Sequence, residues 1–305
     1  MSSSLPPYAS PLEIVWHYAF RAFCGAVLIF LILPILVMIP LSFNAEPYFT
    51  YNSDMMALKP EAYSTRWYVD IFTNGMADPD QPFGFAFIAD SWTNAQWIHS
   101  MKNSFIIGIF ATLISTTLGT LAALGLTRAH MPYRKLITAI LISPMIVPII
   151  ISAAGMFFFY SDIGLAQTFP GIILAHAALG TPFVVITVTA TLSGFDNNLV
   201  RASASLGATP QRTFFQVIVP LIAPGVISGG LFAFITSFDE VVAVLFLTEF
   251  EQRTIPRQMW SGLREQISPT ILAVATILIA ISVLLLVTLE LLRRRNERMR
   301  GLSPG

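Results

Sequence analysis

The sequence predicts an all-α integral membrane protein with six transmembrane helices, on three observations. Hydrophobic residues make up 55% of the 305 and charged residues only 11%, with a mean hydropathy of +0.70. Soluble domains carry roughly 25% charged residues, so this chain lacks the polar surface needed to stay in water. Six uncharged apolar runs reach the ~20 residues that a helix needs to cross a hydrocarbon core. Finally, Lys and Arg alternate between successive connections, as they do when alternate loops lie on opposite sides of a membrane. A formal net charge of zero, without a basic excess, argues against nucleic acid as a partner. The single cysteine, Cys24, excludes an intramolecular disulfide framework and a Cys-based metal site.

The first span lies between Arg21 and Glu46 and contains Pro34 and Pro40. Residues 1–18 hold no Lys or Arg and carry Pro6, Pro7 and Pro11, so they lack the basic start of a signal peptide and the span is expected to stay uncleaved. Residues 46–102 form the one large connection, rich in Tyr, Trp, Asn, Asp and Pro; within it residues 64–72 read equally as an amphipathic interfacial helix or as an irregular loop with two aromatic anchors. Asn103-Ser104 is expected to cap the second span, which runs from Lys102 to Arg128. The third lies between Lys135 and Asp162, and Pro144 and Pro148 should bend it. The fourth occupies part of 163–195 and includes Pro182. The fifth follows Arg212 and reaches Asp239; Gly225-Val226-Ile227-Ser228-Gly229 gives it a small-xxx-small spacing suited to close helix contact. The sixth falls between Glu265 and Glu290. Each run is apolar on all sides, unlike a helix of a soluble bundle.

The connections that include the N-terminus, Arg128 to Lys135, Arg201 to Arg212 and the C-terminus carry 11 of the 17 basic residues. The opposite set carries six, with 11 of the 17 acidic residues when Asp239 and Glu240 are counted inside the fifth span. Both termini are therefore expected on the cytoplasmic side. The organisation that follows is a cytoplasmic N-terminus with the first helix (1–45), an extracytoplasmic loop (46–102), a five-helix core (103–292) and a basic cytoplasmic tail (293–305).

The connection between the fourth and fifth spans, 196–213, has the chemistry of a short helix with marked ends. Asp196 or Asn197 can cap its start, Leu199, Ala202, Ser203 and Leu206 share a weakly apolar face, and Gly207 suits a left-handed position after the last turn. Thr209-Pro210 then restarts a helix, Thr as N-cap and Pro at the first helical position.

Arg201-Ala202-Ser203, three residues, Gly207, nine residues, then Val217-Ile218-Val219-Pro220 resembles the EAA signature, Glu-Ala-Ala-x3-Gly-x9-Ile-x-Leu-Pro, of permease subunits of binding-protein-dependent ABC importers. Arg201 stands in place of the signature Glu and Ser203 in place of its second Ala, so steric fit rests on Ala202 and Gly207. The resemblance implies the type I importer permease architecture, a multi-pass subunit of a bacterial inner membrane. It implies a cytoplasmic ABC ATPase dimer that holds the 196–213 loop, a second homologous permease and an extracytoplasmic solute-binding protein. Arg201, Ala202, Ser203, Gly207 and Pro220 are the expected coupling residues. Lys59, Lys102 and Lys135 follow Leu, Met and Arg, so none completes a nucleotide-binding Gly-Lys, and ATP hydrolysis is expected to belong to the partner. No cofactor or metal site is expected: His17, His99, His130 and His176 are scattered, and His176, alone within a span, reads as a hydrogen-bonded packing residue or as part of a transport route.

Ser237-Phe238-Asp239-Glu240 interrupts an apolar stretch that continues to Leu247; as one helix, Phe214 to Leu247 would be about 50 Å, beyond a core of about 30 Å. The helix must tilt, break or extend out of the membrane. Ser237-x-x-Glu240 has the form of a capping box, while carboxylates there could also line the route of a cation. This stretch, with Thr254-Ile255-Pro256 and Ser268-Pro269, is similar to the spermidine/putrescine permease subfamily, which implies a polyamine or other small organic cation as cargo. The rivals are an importer for a different small solute, an ion-coupled secondary transporter that uses Asp239 and Glu240, and a multi-span enzyme subunit.

Overall fold

The computed structural model describes residues 8, 10–128, 130–196, 198–265 and 268–299; Asn197, and the tail from Arg300 onward, lie outside them. All regular elements among the described residues are helical, apart from one isolated bridge between Asn44 and Tyr63. The chain divides into two compact units, Met1–Thr73 with Gly262–Gly305, and Asn74–Ser261. The boundary at Thr73 cuts the 46–102 connection in two.

Helix α1, Pro11–Leu41, begins well before the apolar run that Arg21 delimits. The cause is local: the Ser10 hydroxyl accepts from the Glu13 amide, Glu13 accepts from the Ser10 amide at 2.8 Å, and Pro11 fills the first helical position. After α1, Asn44 closes a turn by donating to the carbonyls of Tyr48 and Thr50, each at 3.0 Å. The short α2, Ser53–Met56, is capped by Asn52. Residues 64–72 resolve as a helix, α3, Arg66–Thr73, which buries Ile71 and sends Trp67 Nε1 to the Asn44 carbonyl at 2.7 Å.

The second unit opens with α4, Phe85–Asn94, where Asp90 gathers the preceding loop by accepting from the amides of Ala77 and Asp78 and the side chains of Gln81 and Asn94. The Asn94 amide, at 2.6 Å, is the main reason that the Asp90 carboxyl is held below its ordinary pKa; the two backbone amides and Gln81 add to it against a desolvation cost. Helix α5 then runs Gln96–Leu126, so the expected cap at Asn103-Ser104 is corrected: both residues lie inside the helix and are buried. Their side chains instead hold a distant loop, Asn103 donating to the carbonyls of Glu251 and Arg253 and Ser104 accepting from the Ile255 amide.

The third apolar run is two helices, α6, Arg134–Ile146, and α7, Ile149–Asp162, bent by 102° at their junction. The two prolines act differently. Pro144 leaves the Ile140 carbonyl without its amide donor, and the Ser143 hydroxyl donates to that carbonyl at 2.8 Å, so the helix continues. Before Pro148, Val147 is pushed into the extended region (φ −70°, ψ 133°), and the helix stops. Helix α8, Phe169–Ser193, is capped by Thr168 and carries Pro182 inside. Next come α9, Asn198–Ser205, α10, Pro210–Thr213, a π-helical turn over Phe214–Ile218, and α11, Val219–Asp239. Of the three outcomes open to the fifth run, it breaks: α11 ends at Asp239 and α12, Val242–Leu247, follows. Helices α13, Ile255–Glu265, and α14, Thr270–Met299, complete the chain. In the first unit α14 packs on α1 and α3, and Thr270 donates to Asp70 at 2.6 Å.

Four helices among the described residues are long and apolar enough to span a membrane, the bent α6–α7 pair adds one if it crosses as a unit, and α14 contributes a shorter apolar stretch, Thr270–Leu284. The core of the second unit is α5, α8 and α11, brought close by small residues. A Cβ on Gly225 would collide with Thr191, one on Gly229 with Thr187 and the Val184 backbone, and one on Gly180 with Ala233 and Ser115. The small-xxx-small segment of α11 is therefore a packing surface. A second apolar cluster joins Tyr160 of α7, Ile172 and Leu179 of α8 and Val244 and Leu247 of α12.

Candidate functional site

Two places in the second unit combine exposed or polar side chains with unusual backbone, and a single run of helix connects them. The first is loop 196–213. Asp196 accepts from the Asn198 amide at 2.9 Å and thereby starts α9. Gly207 ends it with φ +80°: its amide donates to the Ala204 carbonyl and the Ala208 amide to the Ser203 carbonyl, the paired bonds of a Schellman cap. Thr209 then accepts from the Arg212 amide and Pro210 occupies the first turn, as expected from the sequence. The Ser203 and Thr213 hydroxyls bond at 2.9 Å, tying α9 to the foot of the next helix.

No residue of α9 is buried. Leu206 is 89% exposed and Leu199 43%, on a helix that also presents Ala202 beside a groove bounded by Arg212 and Gln216. Leu206 thus stands almost fully in the open at the end of a helix braced at both ends. Arg201 is exposed and has no ion-pair partner among the described residues.

The sequence reading missed the π-helical turn that follows. The Val219 amide donates to the Phe214 carbonyl, five residues back, just before Pro220, whose ring would otherwise crowd the Gln216 carbonyl and which has no amide to offer it. Widening the turn lets the rod from Pro210 to Asp239 continue without a break.

The second place is the elbow at the far end of that rod. Ser237 does not form the expected capping box with Glu240; it lies inside α11, buried, and its hydroxyl shares a 2.8 Å hydrogen bond with His176 Nδ1 of α8. Glu240 itself does the capping: its Oε1 accepts from the Ala243 amide at 2.8 Å in the first turn of α12. At the other end of α12 the guanidinium of Arg257 donates to the carbonyls of Val244, Thr248 and Glu249 and to the Thr248 hydroxyl. A helix of six residues, three of them buried, thus has a carboxylate at its positive end and a guanidinium at its negative end. Nothing local in the sequence marks Arg257 for this role, because its partners lie eight to thirteen residues away.

Asp239, next to Glu240, is exposed and has no partner among the described residues. It closes α11, where the unpaired carbonyls make the helix end negative, so the fold gives this carboxylate no compensation. Near the same end of α11 the rings of Phe238, Phe234 and Phe105 gather, with centroids 5.4 to 6.5 Å apart.

Against known proteins, residues 115–298 match the family model described as "Binding-protein-dependent transport system inner membrane component". The chain is 29% identical over 277 residues to the spermidine/putrescine transport system permease protein PotC of Haemophilus influenzae, covering 91% of this chain and 97% of that protein. It is 27% identical over 242 residues to the putrescine transport system permease protein PotI of Escherichia coli (strain K12), covering 76% and 78%. Among solved structures, a bacterial ABC transporter involved in the import of the acidic polysaccharide alginate superimposes with a TM-score of 0.65 at 15% identity, over 94% of this chain and 99% of that one, a likeness of fold.

Proposed function

The chain belongs to the family of binding-protein-dependent transport system inner membrane components, a permease subunit of a bacterial ABC importer, and from that premise we propose that its cargo is a polyamine and that Asp239 meets it. The observation that carries this reading is the uncompensated carboxylate at the end of α11. A polyamine is a chain of cationic amines; a free carboxylate offers it charge, and aromatic rings near the same helix end offer a π-face. The names of the relatives, spermidine/putrescine and putrescine permeases, support the same class of cargo. Glu240, engaged at α12, is a structural cap in this reading.

The energy enters at the other end. A partner ATPase dimer, acting also on a second permease, grips α9 from the cytoplasmic side, and an extracytoplasmic binding protein delivers the solute. Six spans with both termini cytoplasmic fit this arrangement. The Schellman cap, the Ser203–Thr213 bond and the unbroken rod from Pro210 leave no slack between α9 and α11. Closure of the ATPases would therefore move α11 as a body and shift the transporter between inward- and outward-open populations.

Uptake of labelled spermidine by cells that carry the assembled importer tests the cargo reading. Asp239→Asn is expected to lower uptake at least tenfold, with the same amount of protein in the membrane, whereas Glu240→Gln keeps most of it. Parental uptake in Asp239→Asn removes that carboxylate from the route, and an importer that takes up no polyamine in its parental form moves the cargo to another small solute.

A further inference from the structure

At the start of α6 the molecule has a second candidate binding place, unrelated to the transport route. A groove between α6 and α8 has an apolar wall of Leu126, Ile142, Val185 and Ile186, and Arg134 and Lys135 stand at its rim. Both cations are exposed and neither has an ion-pair partner among the described residues. The surrounding sequence does not neutralise them: from 103 to 161 the chain has no Asp or Glu, while the same connection adds Arg128. The start of α6 is also poorly placed for two cations. Tyr133, at the N-cap with φ +51°, provides no side-chain cap, so the first-turn amides and the positive helix end face the same rim. Inside the groove the Thr189 hydroxyl is buried and without a partner among the described residues.

We propose that this groove holds an anionic phospholipid, its phosphate at Arg134 and Lys135 and one acyl chain along the wall that Val185 and Ile186 form. Each part of the groove has a counterpart in that molecule. Two unpaired cations and free helix amides call for a phosphate, and a contiguous apolar wall calls for hydrocarbon; a soluble anion would leave the wall exposed. The basic side of a membrane protein is also the side whose leaflet carries anionic headgroups.

Native mass spectrometry of the full permease in detergent, titrated with phosphatidylglycerol or phosphatidylcholine of the same chains, tests this directly. The parent is expected to retain phosphatidylglycerol in preference. Arg134→Gln with Lys135→Gln should weaken that retention on the order of 30-fold, about fivefold for each cation. Ala190→Trp, which fills the groove and leaves the rim intact, should weaken retention of both lipids. Equal retention of the two lipids by the parent, or parental retention by either variant, overturns the proposal. Displacement of the bound lipid by millimolar glycerol 3-phosphate would also overturn it, since it would mark a site for free phosphate.

Discussion

At the end of α11 two adjacent carboxylates have different surroundings: Glu240 accepts an amide bond in α12, while Asp239 is exposed, without a partner among the described residues. Their substitutions should therefore separate. Glu240→Leu removes the side-chain acceptor that caps α12 and is expected to cost about 1 kcal/mol, read as a drop of a few degrees in the melting temperature of the solubilised protein. Glu240→Gln retains an acceptor oxygen and should melt within a degree or so of the parent. Asp90 makes a pH-dependent case outside the spans. Its folded pKa is depressed, so the stability it confers is complete above the unfolded carboxyl value of about 3.9 and is lost as pH falls through the lower folded value. Hydrogen exchange at the Ala77 and Asp78 amides should accelerate, beyond the intrinsic pH effect, once the pH drops below that depressed value. Asp90→Asn should show the faster exchange already at pH 7.

Two glycines illustrate different demands of the helices that contain or end at them. Gly207 has open space around it, so only its left-handed backbone resists substitution; Gly207→Ala should cost about 1–2 kcal/mol through that strain alone. Gly229 has ordinary backbone but sits against Thr187 and Val184, so Gly229→Leu forces α8 and α11 apart and should cost about 1–3 kcal/mol or more, seen as poor yield and a lower melting temperature. Both positions were legible in the sequence, because a turn glycine before Thr-Pro and a small-xxx-small repeat are local patterns. The Ser10 capping box is an equally local pattern, one that the hydropathy of the run after Arg21 does not register. What the sequence could not disclose depends on distant partners. Asn103 looked like a cap until Glu251 and Arg253 supplied carbonyls for it, and Arg257 acquires its role only when the chain folds back on α12. The helix continues at Pro144, where the Ser143 hydroxyl serves the freed carbonyl, and stops at Pro148, where Val147 turns extended; composition weighs neither.

Across the second unit, the two candidate sites lie at the ends of one continuous helix, which in the proposed reading acts as a lever. The Pro210–Asp239 rod is 30 residues, about 45 Å at 1.5 Å per residue, long enough to span a hydrocarbon core, with an exposed helix at one end and an exposed carboxylate at the other. The central claim is that the exposed face of α9 is where an ATPase takes hold. Leu206, 89% exposed, can be changed without disturbing any internal contact. The most direct measurement is the amount of cognate ATPase that co-purifies with the permease, together with its substrate-stimulated turnover, in the parent and in Leu206→Asp. Loss of most of the bound ATPase from a permease that still elutes as the parent does is the expected result. Full retention with unchanged stimulated turnover would contradict the account.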